Sequence, residues 1–316
     1  MKKLFILLFL SHVFVSIAQQ RPQYSQYYLN QYLINPAAVG TTDDVQIKTA
    51  YRKQWIGIED APSTAYVTYS GHLGKELGMK KGIHRNQNVT HHGYGLQAVN
   101  DKIGAFSTTS FYATYAYHFP ISKKASISFG ASLGLQQFAF DNSKLDIVNS
   151  SSNQISSYSL IKPDGSFGAW LYSGRLYSGF SINQIFNNKL PQGASQSGVN
   201  RMHLHYFAVA GYRFSLSDKL DMIPSVLFKA VYPAPVSADM NSKLVYKKKA
   251  WAGVSYRPND AISFVIGGLI VEKIEISYAY DAGISKLSSR SVGSHEVILG
   301  LRLHSKSNVY SPSDFW

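Results

Sequence analysis

The side chains that could do chemistry in this chain are scattered. Two histidine groups have metal-like spacing, His91-His92 and His203-Leu204-His205, and the second would place both imidazoles on one side of a strand. No carboxylate lies beside either group to complete a ligand set, so both read as loop or lumen histidines without metal. The chain has no cysteine, which excludes a disulfide framework, a zinc ribbon, a thiolate nucleophile and an iron–sulfur cluster. A protease would need paired Asp and His, and a phospholipase a Ser with His and a polar orienter. Asp60, Asp101, Asp141 and Asp281 are present, with many serines, but no local spacing organises them. Gly93-Tyr94-Gly95 precedes no helix and is not a phosphate loop. No catalytic residue, cofactor or metal is therefore expected. Tyr51-Arg52-Lys53-Gln54-Trp55 has two readings: an interfacial girdle reaching lipid phosphates, or a contact for the N-terminal segment or a cargo. Lys247-Lys248-Lys249 reads as a solvated turn near anionic headgroups.

Composition and period define what must position these residues. The 316 residues carry 31 Lys+Arg against 18 Asp+Glu, yet only 16% are charged, and 22 are tyrosine. Disorder and coiled coil are both disfavoured by that balance. Lys2-Lys3, an apolar run from Leu4 to Leu10 and Ser16-Ile17-Ala18 describe a secretory signal over residues 1–18, cleaved before Gln19. Cleavage removes two lysines and takes the formal charge from +13 to +11. A basic exported chain is not thereby a nucleic-acid binder, and none is expected as partner. After the signal no apolar run approaches the length of a membrane helix; the best, Ala261–Val271, is broken by Ser263 and Gly267-Gly268.

A period of two then separates an exported soluble protein from an outer-membrane barrel. Ala125, Ile127, Phe129, Ala131, Leu133 and Leu135 form one wholly apolar parity, against Ser126, Ser128, Gly130, Ser132, Gly134 and Gln136. Phe111, Tyr115 and Tyr117 repeat the pattern against Ser110, Thr114 and His118. So do Ile274, Ile276 and Tyr278 against Glu275 and Ser277, and Val297, Leu299 and Leu301 against Glu296 and Arg302. Such long strands, apolar on one face and small or polar on the other, predict an all-β transmembrane antiparallel barrel. Fourteen strands are expected, at 45–56, 61–72, 93–100, 103–119, 124–140, 164–173, 175–183, 204–215, 219–233, 235–246, 249–258, 261–270, 272–281 and 293–304. The connections 74–92, 141–163 and 187–201 are expected as extracellular loops. The domain reading is a barrel over 45–304, a tail over 305–316 and a separate N-terminal segment over 19–44. That segment, aromatic and amide-rich without alternation, reads as a plug in the lumen, a periplasmic segment or an irregular first strand.

Three patches carry a family resemblance. The first is Gln23-Tyr24-Ser25-Gln26-Tyr27 leading to Ile34-Asn35-Pro36-Ala37-Ala38-Val39-Gly40; the second is Tyr51-Arg52-Lys53-Gln54-Trp55-Ile56-Gly57 with Ala61-Pro62-Ser63-Thr64. The third is Ile276-Ser277-Tyr278-Ala279-Tyr280-Asp281, then Ser285-Lys286-Leu287-Ser288-Ser289 and Gly293-Ser294-His295-Glu296. Together they resemble the PorP/SprF family of Bacteroidetes outer-membrane proteins. The resemblance implies a non-enzymatic barrel of the type IX secretion and gliding machinery. Its partners would be outer-membrane lipid, type IX secretion components, and secreted cargo or its C-terminal sorting domain, large adhesins included. The interaction candidates it marks are Tyr24, Gln26, Tyr27, Asn35, Pro36, Gly40, Tyr51, Arg52, Gln54, Trp55 and Pro62. The alternative, from the polar inner face, is a passive or substrate-selective diffusion channel.

Overall fold

The computed structural model describes residues 21–42, 44–73, 90–144, 156–189, 201–271 and 273–304. The expected signal, the tail 305–316 and most of the three long connections lie outside them. The strands are β1 (Asp44–Lys53), β2 (Ser63–Leu73), β3 (His91–Ile103), β4 (Phe106–Ser122), β5 (Ala125–Phe140), β6 (Tyr158–Ser173), β7 (Leu176–Asn183) and β8 (His205–Tyr212). They continue with β9 (Phe214–Ser217), β10 (Leu220–Val231), β11 (Ser237–Tyr246), β12 (Ala250–Arg257), β13 (Ala261–Val271), β14 (Ile274–Gly283) and β15 (Ser294–His304). Both β8 and β9 pair with β10, so they form one stave interrupted at Arg213. Because β15 pairs back onto β1, the antiparallel sheet closes as a fourteen-stave barrel. Closure leaves no edge of unpaired N–H and C=O groups facing lipid.

The alternation read from the sequence sets which way each side chain points. Phe111, Tyr115, Phe129, Leu133 and Leu135 face outward, Leu133 with 64% of its surface exposed, whereas Ser110, Thr114, His118, Ser126 and Ser128 are buried inside. On β14 and β15, Ile276, Tyr278, Val297 and Leu299 point out, while Glu275, Ser277, Glu296 and Ile298 point in. Aromatic groups gather toward both rims: Phe106, Phe140 and Tyr158 at one, and Tyr117, Phe119 and Phe129 at the other. That is the outer surface of a barrel in lipid.

Two features depart from the sequence reading. Strand β6 begins at Tyr158, not 164, and carries Pro163 opposite Leu135. Residues 158–165 pair with β5 alone, so the proline sits on an edge where a missing N–H breaks no second ladder. The three long connections also do not share one end. Antiparallel staves alternate direction, so the link after β2 returns on the side opposite those after β5 and β7. The chain therefore leaves β2 at the rim of the short β4–β5, β6–β7, β9–β10, β11–β12 and β13–β14 turns, whereas it leaves β5 and β7 at the other rim.

Ahead of β1, residues 27–38 form three single 3-10 turns, Tyr27–Leu29, Gln31–Leu33 and Pro36–Ala38, and every residue from 25 to 41 is buried. The last turn is set locally: the Asn35 side chain accepts from the Ala37 N–H at 2.9 Å and Pro36 supplies the fixed first φ. Hydrogen bonds reach this strap from β1 through β7 and from β11, β14 and β15, so it runs along the interior of the cylinder. Its irregular carbonyls are answered by wall side chains: Lys48 on Leu29, Ser181 and Asn183 on Ile34, Ser128 on Ala37, His118 on Val39. Non-helical backbone at membrane depth is tolerated where protein satisfies it in this way.

Candidate functional site: the strap and the barrel seam

The strap is held at both ends. At the long-loop rim Ser25 meets three charged residues, from β1, β14 and β15, and Arg257 of β12 joins them through Asp281. Its N–H donates to Glu296 Oε2 at 2.8 Å and its hydroxyl to Asp281 Oδ2 at 2.6 Å, while Arg52 Nη1 donates to Ser25 Oγ. Arg52 Nη2 lies 2.7 Å from Asp281 and its Nη1 3.5 Å from Glu296; Arg257 Nη2 approaches the same Asp281 oxygen at 2.7 Å. All four side chains are buried, with two positive and two negative charges balancing. Arg52 and Glu296 are directly opposed across the β1–β15 pairing that closes the barrel. The strap thus docks on the seam itself. Deeper along the same strands, Glu275 accepts from Arg302 at 2.8 Å and lies 3.4 Å from Lys48, whose ammonium also holds the Leu29 carbonyl.

At the short-turn rim the strap leaves beneath histidines. His118 Nε2 donates to Val39 O at 2.8 Å while its Nδ1 takes the Tyr172 hydroxyl at 2.9 Å, and His91 Nε2 donates to Gly40 O at 3.0 Å. The two imidazoles stack at 4.3 Å and His72 lies edge-on to His91 at 5.8 Å. Gly40 turns the chain with φ +76, and a Cβ there would meet Gly93 Cα at 2.5 Å, so neither the angle nor the space suits another residue. Among the described residues no group of three His, Asp or Glu is placed to hold a metal ion.

The candidates from the sequence fall into distinct positions. Gln26 is fully buried, donating to the Glu296 carbonyl at 3.3 Å and accepting from Ser277 at 2.5 Å. Tyr27 accepts from Asn241, and Tyr24 lies edge-on to Tyr66 at 5.5 Å. Asn35 donates to the carbonyls of Ala169 and Phe180, both at 3.1 Å, and Pro36 packs where Gly130 leaves room, a Cβ there meeting its carbonyl at 2.6 Å. Arg52 joins the lock, whereas Tyr51 points the other way, 56% exposed on the lipid side. The girdle and contact readings of that patch thus belong to alternate residues of one strand. Gln54 and Pro62 close the β1–β2 loop, N–H to carbonyl at 2.9 Å, and Trp55, at φ +46, donates its N–H to Ser294 Oγ at 3.1 Å.

What sequence reasoning missed is the acid side of the lock. Glu275, Glu296 and Asp281 were legible as carboxylates on the inward parity of otherwise apolar strands. That is a place where an unpaired charge is costly, and Lys48, Arg52, Arg257 and Arg302 answer them. The three sequence patches, far apart along the chain, meet at this lock through Ser25, Arg52, Asp281 and Glu296.

A closed antiparallel barrel with a lipid-facing outer surface and an internal strap defines an outer-membrane protein of the β-barrel class. Several solved barrels are similar in fold. The toluene transporter TbuX of Ralstonia pickettii has a TM-score of 0.51 at 9% identity, covering 86% of this chain and 93% of its own. A Pseudomonas aeruginosa FadL homologue scores 0.45 at 12% identity (89% and 94% covered), and the translocator domain of the autotransporter NalP from Neisseria meningitidis 0.43 at 10% (84% and 89%). No curated protein matched the sequence. The family model for the type IX secretion system membrane protein PorP/SprF matches residues 16–301. The chain belongs to that family, and it is a secretion-system component of the outer membrane.

Proposed function

We propose that this protein is a non-enzymatic partner barrel of the type IX secretion and gliding machinery, assisting the export or surface anchoring of cargo that carries a C-terminal sorting domain, such as a large adhesin. Residues 1–18 direct export and are removed before Gln19, and the strap that follows acts as a resident plug. The observation that carries this reading is the strap's burial from residue 25 to 41, with wall contacts around most of the barrel. A lumen occupied by its own chain is a poor conduit for polypeptide. Cargo would then be handled at the rims, beside a separate pore. The test is deletion of the gene with proteomics of the secreted and surface fractions: loss of a defined cargo set supports the reading, and unchanged fractions refute it. The polar inner face supports a second reading, a diffusion channel. Planar-bilayer recording separates the two, since a channel conducts as the wild type while a plugged barrel stays silent until the strap is removed.

A further inference from the structure

On the outer surface, away from the strap and the seam, two rows of lipid-facing residues cross β5, β6, β7, β8 and β10. Strand pairing sets Ile127, Leu171, Ser178, Ala210 and Val226 side by side in the row nearer the short turns, and Phe129, Ala169, Phe180, Ala208 and Phe228 in the next. The short side chains of Ser178, Ala210, Ala169 and Ala208 stand between larger ones, and the wall is hollowed there into a groove of about 400 Å³. At about 30 Å³ per water, that is room for roughly a dozen water-sized groups, the scale of one lipid chain. Ser178 is the one polar side chain in the two rows. Just beyond the upper row, the β4–β5 turn carries Lys123 and Lys124 and the β6–β7 turn carries Arg175, all three exposed. Lys124 is three residues from Ile127, about 10 Å along the strand. No carboxylate lies on either turn, and none of the three cations forms an ion pair among the described residues. The next turn, β9–β10, holds Asp218 beside Lys219 and adds no net charge. Beside the β6–β7 turn, Tyr212 and Phe214, with rings 4.7 Å apart, mark the level of the headgroups.

We propose that this sector binds one anionic glycerophospholipid, with an acyl chain in the groove and the phosphate at Lys123, Lys124 and Arg175. Any apolar surface in a bilayer is covered by lipid, so the groove alone selects nothing; selection comes from the three cations above it. Ammonium and guanidinium groups at headgroup height favour a headgroup of net negative charge over a zwitterion. The groove fixes a chain beneath that headgroup and makes a site out of a diffuse attraction. A neighbouring barrel would press a broad convex wall on this face and leave a groove of one chain's width unfilled. Short turns of such barrels face the periplasm, which puts the lipid in the periplasmic leaflet. The proposal uses no cargo and stands independently of the secretion reading.

The test is native mass spectrometry of the purified full-length barrel, released from an uncharged maltoside with equal amounts of dioleoyl phosphatidylglycerol and dioleoyl phosphatidylcholine. The chains are identical, so only the headgroup differs. One retained phosphatidylglycerol per barrel is expected, favoured about tenfold or more over phosphatidylcholine. Lys123→Gln, Lys124→Gln and Arg175→Gln together should bring the two lipids to parity. Ala210→Phe fills the groove from its floor and should lower phosphatidylglycerol retention by about tenfold. Heat-modifiable gel mobility verifies that both variants remain folded barrels, and the triple change on exposed turns serves alone if Ala210→Phe disturbs folding. Equal retention of the two lipids by the unaltered barrel overturns the proposal. So does a preference that survives the triple change, which would assign the lipid to another basic turn such as Lys247–Lys249. Unchanged retention in a folded Ala210→Phe barrel takes the groove out of the site and overturns it as well.

Discussion

Replacing Arg52 with methionine should release the beginning of the strap before it harms the barrel. The substitution keeps an unbranched side chain in a buried slot but removes a guanidinium within reach of Ser25, Asp281 and Glu296. Asp281 retains Arg257 at 2.7 Å and the Ser25 hydroxyl at 2.6 Å. Glu296 retains the Ser25 amide at 2.8 Å and loses its ion pair, so the uncompensated charge falls on it. Removing one partner of a buried ion pair costs about 3–5 kcal/mol, and the surviving amide bond argues for the lower end. The least costly relief is for residues 24–26 to lift away and admit water from the long-loop rim, because the wall itself is held by complete β-ladders on both sides of β15. At about 3 kcal/mol the opening constant rises roughly a hundredfold. Hydrogen exchange read by mass spectrometry on the detergent-solubilised protein should show that loss of protection over residues 25–30, with the amides of β5 unchanged. Adding Glu296→Gln removes the stranded charge and should return about tenfold of the protection, a coupling of roughly 1–2 kcal/mol between neighbours in one network. Unchanged protection at residues 25–30 in Arg52→Met, or a uniform loss over all staves, would refute the assignment of Arg52 to the strap.

Gly40→Val should lower the heat resistance of the barrel in gel-mobility assays by an amount equivalent to about 1–3 kcal/mol, since it combines positive φ with a backbone contact at 2.5 Å. A matching change at Gly104, which has φ +56 but open space around it, should do less. Leu133→Arg puts a charge on the lipid face and should destabilise refolding into bilayers by about 2–4 kcal/mol, measured by urea titration, if that position lies near the bilayer midplane. Removing residues 21–41 should turn a silent barrel into a conducting one in planar bilayers, and silence of the truncated but folded barrel would show that something other than the strap closes it.

The staves were readable because each strand faces lipid on one side and protein on the other, so a period of two survives in Leu133 and Leu135 against Ser126 and Ser128. Where the environment was mixed, the pattern weakened. Pro163 masked the first part of β6, and the direction of the β2–β3 connection came from strand parity instead of from any local residue. The strap was visible only as an interruption. Surrounded on every side, it has no face to alternate; its 3-10 turns are closed by their own backbone, and wall side chains answer carbonyls that the turns leave over. Arg52 was singled out within its patch, and it contacts Ser25 of the N-terminal segment. Its acidic partners were not, because nothing local links Ser25 to residues 256 and 271 positions away.

Those separations carry a consequence for assembly. Ser25 and Arg52 belong to the beginning of the chain, Asp281 and Glu296 to its last two strands, and Arg52 opposes Glu296 across the closing β1–β15 pairing. Until β15 is in place, Arg52 faces no Glu296 and Lys48 has neither Glu275 beside it nor Arg302 beyond. Closure of the wall and locking of the strap therefore draw on the same ion pairs and stabilise one another as linked equilibria. A strap locked this way is unlike a mobile tail that happens to enter a finished pore: its first anchor is completed only by the strand that completes the barrel. Any partner that displaces Ser25 must also leave Glu296 and Asp281 satisfied. The requirement favours a ligand that offers hydrogen-bond donors at the long-loop rim over one that presents only apolar surface.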